Sequence, residues 1–255
     1  MRPHFTEVSD SQWQCIKVHL SHQKPRKLCL RSVVNALFYI TSTGVQWRNL
    51  PKHYPAWQSV YYYFCLWQSN GILLLIMNDL REKVRVKEGK NICPSLLIVD
   101  SQSIKVAPFV HQSIGYDGNK KIHGRKRHLA VDTLGYPVAV YVGAANENNG
   151  QAGLELLAAL DKQHLPRLQS LRADQAYRGT FTESAQYFHW KVDTTQSPPS
   201  AQRGFIPQKN RWQIERTFGW FNFFRRLSKD YEKTTTSAAA FIILALANVM
   251  LAKIT

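Results

Sequence analysis

The hydrophobic pattern of the chain changes near residue 93, and this change limits the folds that the sequence can adopt. Before it, apolar residues recur at helical spacing, and proline and glycine residues separate four predicted helices. After it, short apolar runs typical of buried strands alternate with helical stretches. The sequence therefore predicts an α/β protein in which a helical region, 1–92, precedes a sheet-containing domain, 93–255.

Three segments of the second half predict strands. Residues 96–100 (LLIVD) form an apolar run typical of a buried strand, and residues 168–174 (LQSLRAD) form a weaker one. Between them, residues 128–142 (HLAVDTLGYPVAVYV) predict a hairpin that turns at 134–137. Helices are predicted around these strands at 151–163, 177–189, 211–227 and 236–253, and residues 193–210 are predicted to be a loop.

The chain is strongly basic, with 33 lysine and arginine residues against 17 aspartate and glutamate residues and a net charge of +16. Nucleic acid is the natural partner, because phosphates neutralised by basic side chains release condensed counterions. The hydrophobic content of 44% excludes a disordered or collagen-like chain. The apolar stretch 238–252 contains Asn248 and is shorter than the roughly 20 residues that a bilayer requires, so it predicts a buried helix.

The cysteines and the N-terminus indicate a reducing compartment. Four cysteines stand far apart without zinc-ligand spacing, which favours reduced thiols over a metal site or disulfides. The first residues carry acidic side chains and lack the apolar core of a signal peptide. We expect a cytoplasmic protein with no membrane segment.

Three carboxylates are the candidates for chemistry. Asp100 and Asp174 each follow a predicted strand, and Glu215 lies well inside the helix that begins near Arg211. Carboxylates that emerge together from a sheet repel one another, and a divalent cation such as Mg²⁺ compensates them. Structural roles remain open for each one. Asp100 can cap a turn at 101–105, Asp174 can cap 175–177, and Glu215 can pair with Arg211 one turn earlier.

Several segments together resemble the blocks of a bacterial insertion-sequence transposase. They are LLIVDSQSIK, GYDGNKKIHGRKRHLAVDTLGYPVAVYV, LRADQAYRG and NRWQIERTFGWFNFFRRLSKDYE, preceded by NLPKHYPAWQSVYYYFCLWQSNG. This resemblance to the DDE transposases implies an RNase H-like core with a mixed sheet flanked by helices. It implies that Asp100, Asp174 and Glu215 are catalytic and hold two Mg²⁺ ions, with Mn²⁺ able to substitute.

The resemblance also implies the reaction and its partners. The enzyme would bind double-stranded DNA at the ends of its element, hydrolyse a phosphodiester and transfer the freed 3′-hydroxyl to target DNA. Two ends must meet, so at least a homodimer is expected on DNA, in association with the bacterial nucleoid. The helical region would place one helix in the major groove, with Arg48, Lys52 and His53 in an exposed loop.

A set of basic and aromatic side chains is predicted to contact DNA. A run between two predicted strands, interleaved with His123 and His128, is expected to project beside the carboxylates, and Trp212 can stack on an unpaired base. The family pattern has a basic residue where this chain has Phe223, and Arg225 or Arg226 can replace it. The predicted DNA contacts are Lys120, Lys121, Arg125, Lys126, Arg127, Arg211, Trp212, Arg216, Arg225 and Arg226.

Two other functions remain open on the sequence alone. A nuclease with the same core would share the carboxylates but never join DNA ends. A DNA-binding regulator derived from a transposase would keep the basic surface and lose metal dependence. The presence of all three acids argues against the regulator.

Overall fold

A computed structural model describes residues 5–20, 28–161, 163, 165–194 and 211–254 of the chain. Four helices form the N-terminal region: α1 (Asp10–Lys17), α2 (Leu30–Thr43), α3 (Trp57–Ser69) and α4 (Ile72–Lys87). Ser9 and Gln12 form a capping box at the start of α1. Gly71, in the left-handed conformation with φ 76°, separates α3 from α4. These helices confirm the helical interpretation of the first part of the chain.

The second region is built on a six-stranded mixed sheet. The strands are β1 (Leu96–Lys105), β2 (Gly115–Asp117), β3 (Ile122–Val131), β4 (Pro137–Ala144), β5 (Ser170–Ala173) and β6 (Lys191–Thr194). β1, β5 and β6 run parallel, whereas β3 pairs antiparallel with β1, β2 and β4. The predicted mixed sheet and the hairpin between β3 and β4 are confirmed.

Helices cover both faces of this sheet. They are α5 (Asn149–Asp161), α6 (Thr180–Tyr187), α7 (Arg211–Trp220) and α8 (Thr235–Ile254). Side chains alternate along β1, so Leu97 and Val99 pack with α5 and α6, while Ile98 joins the core that contains α7 and α8. The N-terminal helices share that second core, because α2 and α4 pack against α8.

The helix α8 is a core element, as the sequence predicts. It is 20 residues long with a hydropathy of 2.0, and by length and composition it passes for a membrane span. Within its most apolar stretch of 18 residues, 56% is buried inside the protein. Its buried residues include Phe241, Leu244 and Met250, which explains the apolar sequence by internal packing.

The structure corrects two expectations about the strands. β1 does not end at Asp100 but continues to Lys105, because it pairs with β3 as far as Gly124. The basic run is not a projecting loop, since most of it lies in β3. β2 and β6 are short strands that no apolar run indicated. The predicted loop at 193–210 lies outside the described residues from 195 onward.

Candidate active site

Asp100 and Asp174 lie at the same level of the sheet on neighbouring strands. The parallel pairing of β1 with β5 ends at Val99 and Ala173. Asp100 is the next residue of β1, and Asp174 directly follows β5. Neighbouring strands are about 4.8 Å apart, and paired positions project from the same face. Tertiary structure thus brings together two carboxylates that are 74 positions apart in the sequence.

The two aspartates line one polar cleft with a volume of about 750 Å³. Each also has a local role, since Asp100 accepts a hydrogen bond from the Ser101 backbone (2.7 Å) and Asp174 accepts one from the Ala176 backbone (2.9 Å). Asp174 therefore does cap the turn at Gln175–Tyr177, which orients its carboxylate rather than excluding it from chemistry.

Glu215 is an exposed residue of α7, a helix held by the β3–β4 turn. Thr217 donates a hydrogen bond to the Gly135 carbonyl (2.6 Å) and Arg216 donates one to the Leu134 carbonyl (2.6 Å). Ile214 of the same helix is fully buried, which fixes α7 against the core. One turn after Glu215, Phe218 lines the cleft, so α7 borders the aspartate pair.

The described residues suit a divalent cation in part. Two carboxylates on one polar wall are ligands that Mg²⁺ accepts together with waters and phosphate oxygens. Within the described ranges, no three His, Cys, Asp or Glu side chains stand close enough to hold an ion together. Asp100 and Asp174 fit the ion, while Glu215 is not part of a three-residue metal cluster in this structure.

A buried pair of neutral side chains lies behind the aspartates. Tyr177 is fully buried, and its hydroxyl lies 2.8 Å from His128 Nδ1 on β3. Burial raises the pKa of Tyr177 well above its usual range, and the charges of Asp100 and Asp174 raise it further. Burial, with the positive charge of Lys126, lowers the pKa of His128 to about 3. Both side chains are therefore uncharged near neutral pH.

The cleft contains two acids that sequence reasoning did not single out. Asp117 accepts hydrogen bonds from Ser103 and the backbone of Lys120, and these bonds lower its pKa although burial opposes them. Burial raises the pKa of Glu147, which accepts hydrogen bonds from the Tyr141 hydroxyl. Asp117 ends the short strand β2 and Glu147 lies in the turn after β4. Neither local sequence differs from an ordinary polar surface segment, so tertiary contact alone reveals them.

The structure contradicts the predicted DNA contact of three arginines. Arg125 is 0% exposed and pairs with Asp230 (3.2 Å), and Arg127 is 2% exposed and donates to the Leu227 carbonyl. Arg226 is buried and pairs with Glu232. Alternation along a strand turns every second residue of the basic run inward, where the guanidinium groups satisfy buried carbonyls and carboxylates instead of phosphates.

Other members of the predicted set remain accessible. Lys120 and Lys126 line the cleft with the aspartates, and Lys121 and Arg225 are exposed. Lys126 also donates hydrogen bonds to Asn149 and the Glu147 carbonyl. The side chain of Arg211 lies outside the described part of the chain.

Trp212, Arg216 and Trp220 form a stacked ladder along α7. The Arg216 guanidinium lies 4.6 Å from the Trp212 ring and 5.1 Å from the Trp220 ring. Trp220 in turn stacks on Tyr136 at 5.5 Å. Trp212 is 54% exposed at the end of this ladder, so part of its ring surface faces solvent.

Comparison with known proteins agrees with this architecture. Residues 91–250 match a family described as the transposase DDE domain, and residues 8–77 match one described as a putative transposase of the IS4/5 family. A putative transposase for insertion sequence element IS402 from Burkholderia cepacia is 30% identical over 129 residues, which cover 47% of this chain. The match spans 59% of that relative's length. With well over half of its residues matched to the DDE domain, the chain belongs to the DDE transposase family.

Proposed function

We propose that the protein is the DNA transposase of an insertion sequence, which binds the ends of its element, cuts a phosphodiester there and joins the end to target DNA. The single observation that carries this proposal is the alignment of Asp100 and Asp174 at the end of one parallel strand pair, on the wall of a cleft. Family membership and the net charge of +16 support it.

In this proposal, three carboxylates are the metal ligands. Asp100 and Asp174 would hold Mg²⁺, for which Mn²⁺ would substitute. Glu215 is not grouped with them in the described structure, and it would join them as the third ligand of a site for two ions once ions and DNA are bound. When bound, the ions supply a nucleophile from water and stabilise negative charge on the phosphoryl oxygens. Asp174 keeps a fixed direction through the Ala176 backbone bond, so the ligand geometry is set before DNA arrives.

Basic side chains near the cleft position the DNA backbone. Lys120 and Lys126 stand on the same wall as the aspartates and attract the phosphates that flank the scissile bond. We propose that Lys121, Arg211, Trp212, Arg216 and Arg225 extend this contact surface. The N-terminal region, with Arg48, Lys52 and His53 exposed, recognises the element ends. Two ends require at least a homodimer on DNA, in the bacterial cytoplasm at the nucleoid.

Metal-dependent nicking of labelled duplex carrying the DNA that flanks this gene tests the proposal. Wild type is compared with Asp174→Asn and with Asp161→Asn, which changes an exposed carboxylate at the end of α5. We expect nicking at a fixed position by wild type and Asp161→Asn in Mg²⁺ or Mn²⁺, and loss of nicking by Asp174→Asn. Asp174→Asn should keep the circular dichroism spectrum of the wild type.

Nicking, strand transfer and binding of the same duplex together distinguish a transposase from the two alternative functions, a nuclease and a DNA-binding regulator. A nuclease would nick without joining ends to target DNA in a strand-transfer reaction. A regulator would bind the duplex without cutting it, and Asp174→Asn would then bind as wild type does. Either result would contradict the transposase proposal.

A further inference from the structure

A second cleft of about 750 Å³ lies apart from the aspartates and shares no lining residue with theirs. Its walls come from the short helix Trp47–Asn49 and the residues before it, the start of α3, the segment after β1 and the segment 226–237, which runs into α8. We call it the aromatic groove, and its rings belong to Trp47, Trp57, Tyr61, Phe109 and Tyr231.

Two aromatic side chains of the groove are exposed to solvent. Tyr61 is 46% exposed and Phe109 is 57% exposed. Trp47 anchors the groove from behind, since its ring meets Tyr61 edge-on at 5.1 Å and packs on the core residue Phe64 at 5.4 Å. Rigid rings held by core contacts form a preorganised surface for a flat ligand.

The charge of the groove favours an anionic ligand. The Arg48 guanidinium lies 5.6 Å from the Trp57 ring, and Lys233 is exposed at the rim. Among the described residues that line the groove, Glu232 is the one carboxylate, and a buried ion pair with Arg226 (2.7 Å) neutralises it. Two cations at Arg48 and Lys233 therefore face the ligand without a competing acid.

Flat rings interleaved with cations match an unpaired nucleotide, whose base stacks on aromatic faces while its phosphate meets Arg or Lys. A base inside a duplex cannot offer its face to protein, because its neighbours cover it. The groove volume falls in the range of about 300–1,000 Å³ that small ligands occupy. We propose that the aromatic groove binds unpaired nucleotides of a DNA strand by base stacking, with Arg48 and Lys233 holding the phosphates. This inference rests on the proposed DNA function and adds a second, single-strand site.

Binding of a fluorescent oligothymidylate to the full chain tests this inference. The chelator EDTA is present, so the result does not depend on cleavage. Phe109→Ala and Tyr61→Ala each remove an exposed groove ring, whereas Tyr187→Ala removes a ring on α6 that is 86% exposed and outside the groove. We expect the two groove variants to weaken single-strand binding by about 5- to 150-fold, the range for one stacked base. Tyr187→Ala and duplex binding should change by less than about 2-fold, as for surface changes away from a site.

An abasic strand of the same length separates stacking from charge. Wild type should bind it at least as weakly as Phe109→Ala binds oligothymidylate, and the groove variants should bind it no more weakly than wild type. Arg48→Gln should reduce the salt dependence of oligothymidylate binding by a slope of about 0.7, the value for one phosphate of a single strand.

Two results would overturn the inference. One is equal binding of oligothymidylate by wild type and both ring variants, and the other is an equal loss for duplex and single strand. Because EDTA prevents cleavage, failure here leaves the nicking result of Asp174→Asn unaffected. Conversely, if wild type does not nick DNA, the oligothymidylate measurement still tests whether the groove binds unpaired bases.

Discussion

His128 Nδ1 and the Tyr177 hydroxyl lie 2.8 Å apart in the interior, close to the positions of the candidate aspartates Asp100 and Asp174. His128 pairs across the sheet with Ser101, the residue that follows Asp100, and Tyr177 is three positions beyond Asp174. The contact therefore joins β3 to the turn Gln175–Tyr177, which follows β5. A neutral, hydrogen-bonded pair at this place adds no charge near the two carboxylates.

The Tyr177 hydroxyl is expected to stabilise the fold through this contact. Tyr177→Phe leaves buried His128 Nδ1 without its partner and should lower the free energy of unfolding by about 1–3 kcal/mol. Urea denaturation measures the change. The matched variant Tyr187→Phe, at a site 86% exposed, should unfold as wild type does. Equal midpoints for Tyr177→Phe and wild type would contradict the prediction.

Acid should destabilise the protein through His128. Its pKa falls from 6.5 to about 3 on folding because the ring is buried, so between these values the unfolded chain binds the extra proton. Stability from His128 is therefore full above pH 6.5 and is lost as the pH falls toward 3. The expected slope is up to about 1.4 kcal/mol per pH unit for one proton. His128→Gln should flatten this slope relative to wild type in urea titrations between pH 6 and 4, whereas the exposed His123→Gln should not.

The basic run should divide into DNA contacts and structural arginines. The double variant Lys120→Gln and Lys121→Gln removes two exposed charges and should reduce the slope of log binding constant against log salt by about 1.8 for duplex. Lys90→Gln with Lys87→Gln, on exposed positions at the end of α4 and beyond it, serves as the control of equal charge. An unchanged slope in the Lys120 and Lys121 variant would remove these residues from the proposed surface.

Arg125 belongs to the same basic run but is buried, so we expect it to stabilise the fold rather than to contact DNA. Its guanidinium contacts Asp230 and the carbonyls of Gln112, Glu232 and Lys233. Arg125→Ala leaves a buried carboxylate uncompensated, and we expect a loss of about 3–5 kcal/mol in unfolding free energy. Arg125→Lys keeps the charge but not the fork of donors, so its loss should be smaller and its salt slope for duplex should equal that of wild type.

The β3–β4 turn should control the helix that carries Glu215. Gly135 has φ 79°, and a Cβ there would lie 3.0 Å from the Gln213 carbonyl and from Thr217 Oγ1 on α7. Gly135→Ala should cost about 1–2 kcal/mol in strain and reduce nicking more than DNA binding, because α7 must move. Gly219→Ala adds a Cβ to the same helix where nothing lies within 4 Å. It should preserve nicking, and equal loss in both variants would contradict this role of the turn.

Local patterns explain why much of the architecture was predictable. The apolar run 96–99, the turn at 134–137 and the buried α8 each carry a periodicity or turn signal that neighbouring residues alone create. The candidate carboxylates were also visible, because an acid directly after an apolar run is unusual enough to notice. The extent of β1 was not visible, since residues 101–105 are polar and become a strand only by pairing with β3.

The burial of Arg125 and Arg127 could not be predicted from the sequence. Lys120, Lys121, Arg125, Lys126 and Arg127 read as one charged run, and nothing in the run separates those that face solvent from those that face the core. Three of the residues that Arg125 contacts, Asp230, Glu232 and Lys233, are 105 to 108 positions away. Only folding brings an acceptor of that kind within hydrogen-bonding distance of a buried guanidinium.

The sequence by itself determined the fold class, the family and the three candidate acids, because these depend on periodicity and on motifs in order along the chain. Tertiary structure decided that Asp100 and Asp174 share one sheet level, that His128 and Tyr177 pair behind them and that the aromatic rings of two regions line one groove. Each of these depends on distances between residues remote in sequence. Strand register and helix packing set those distances, and neither is a local property of the chain.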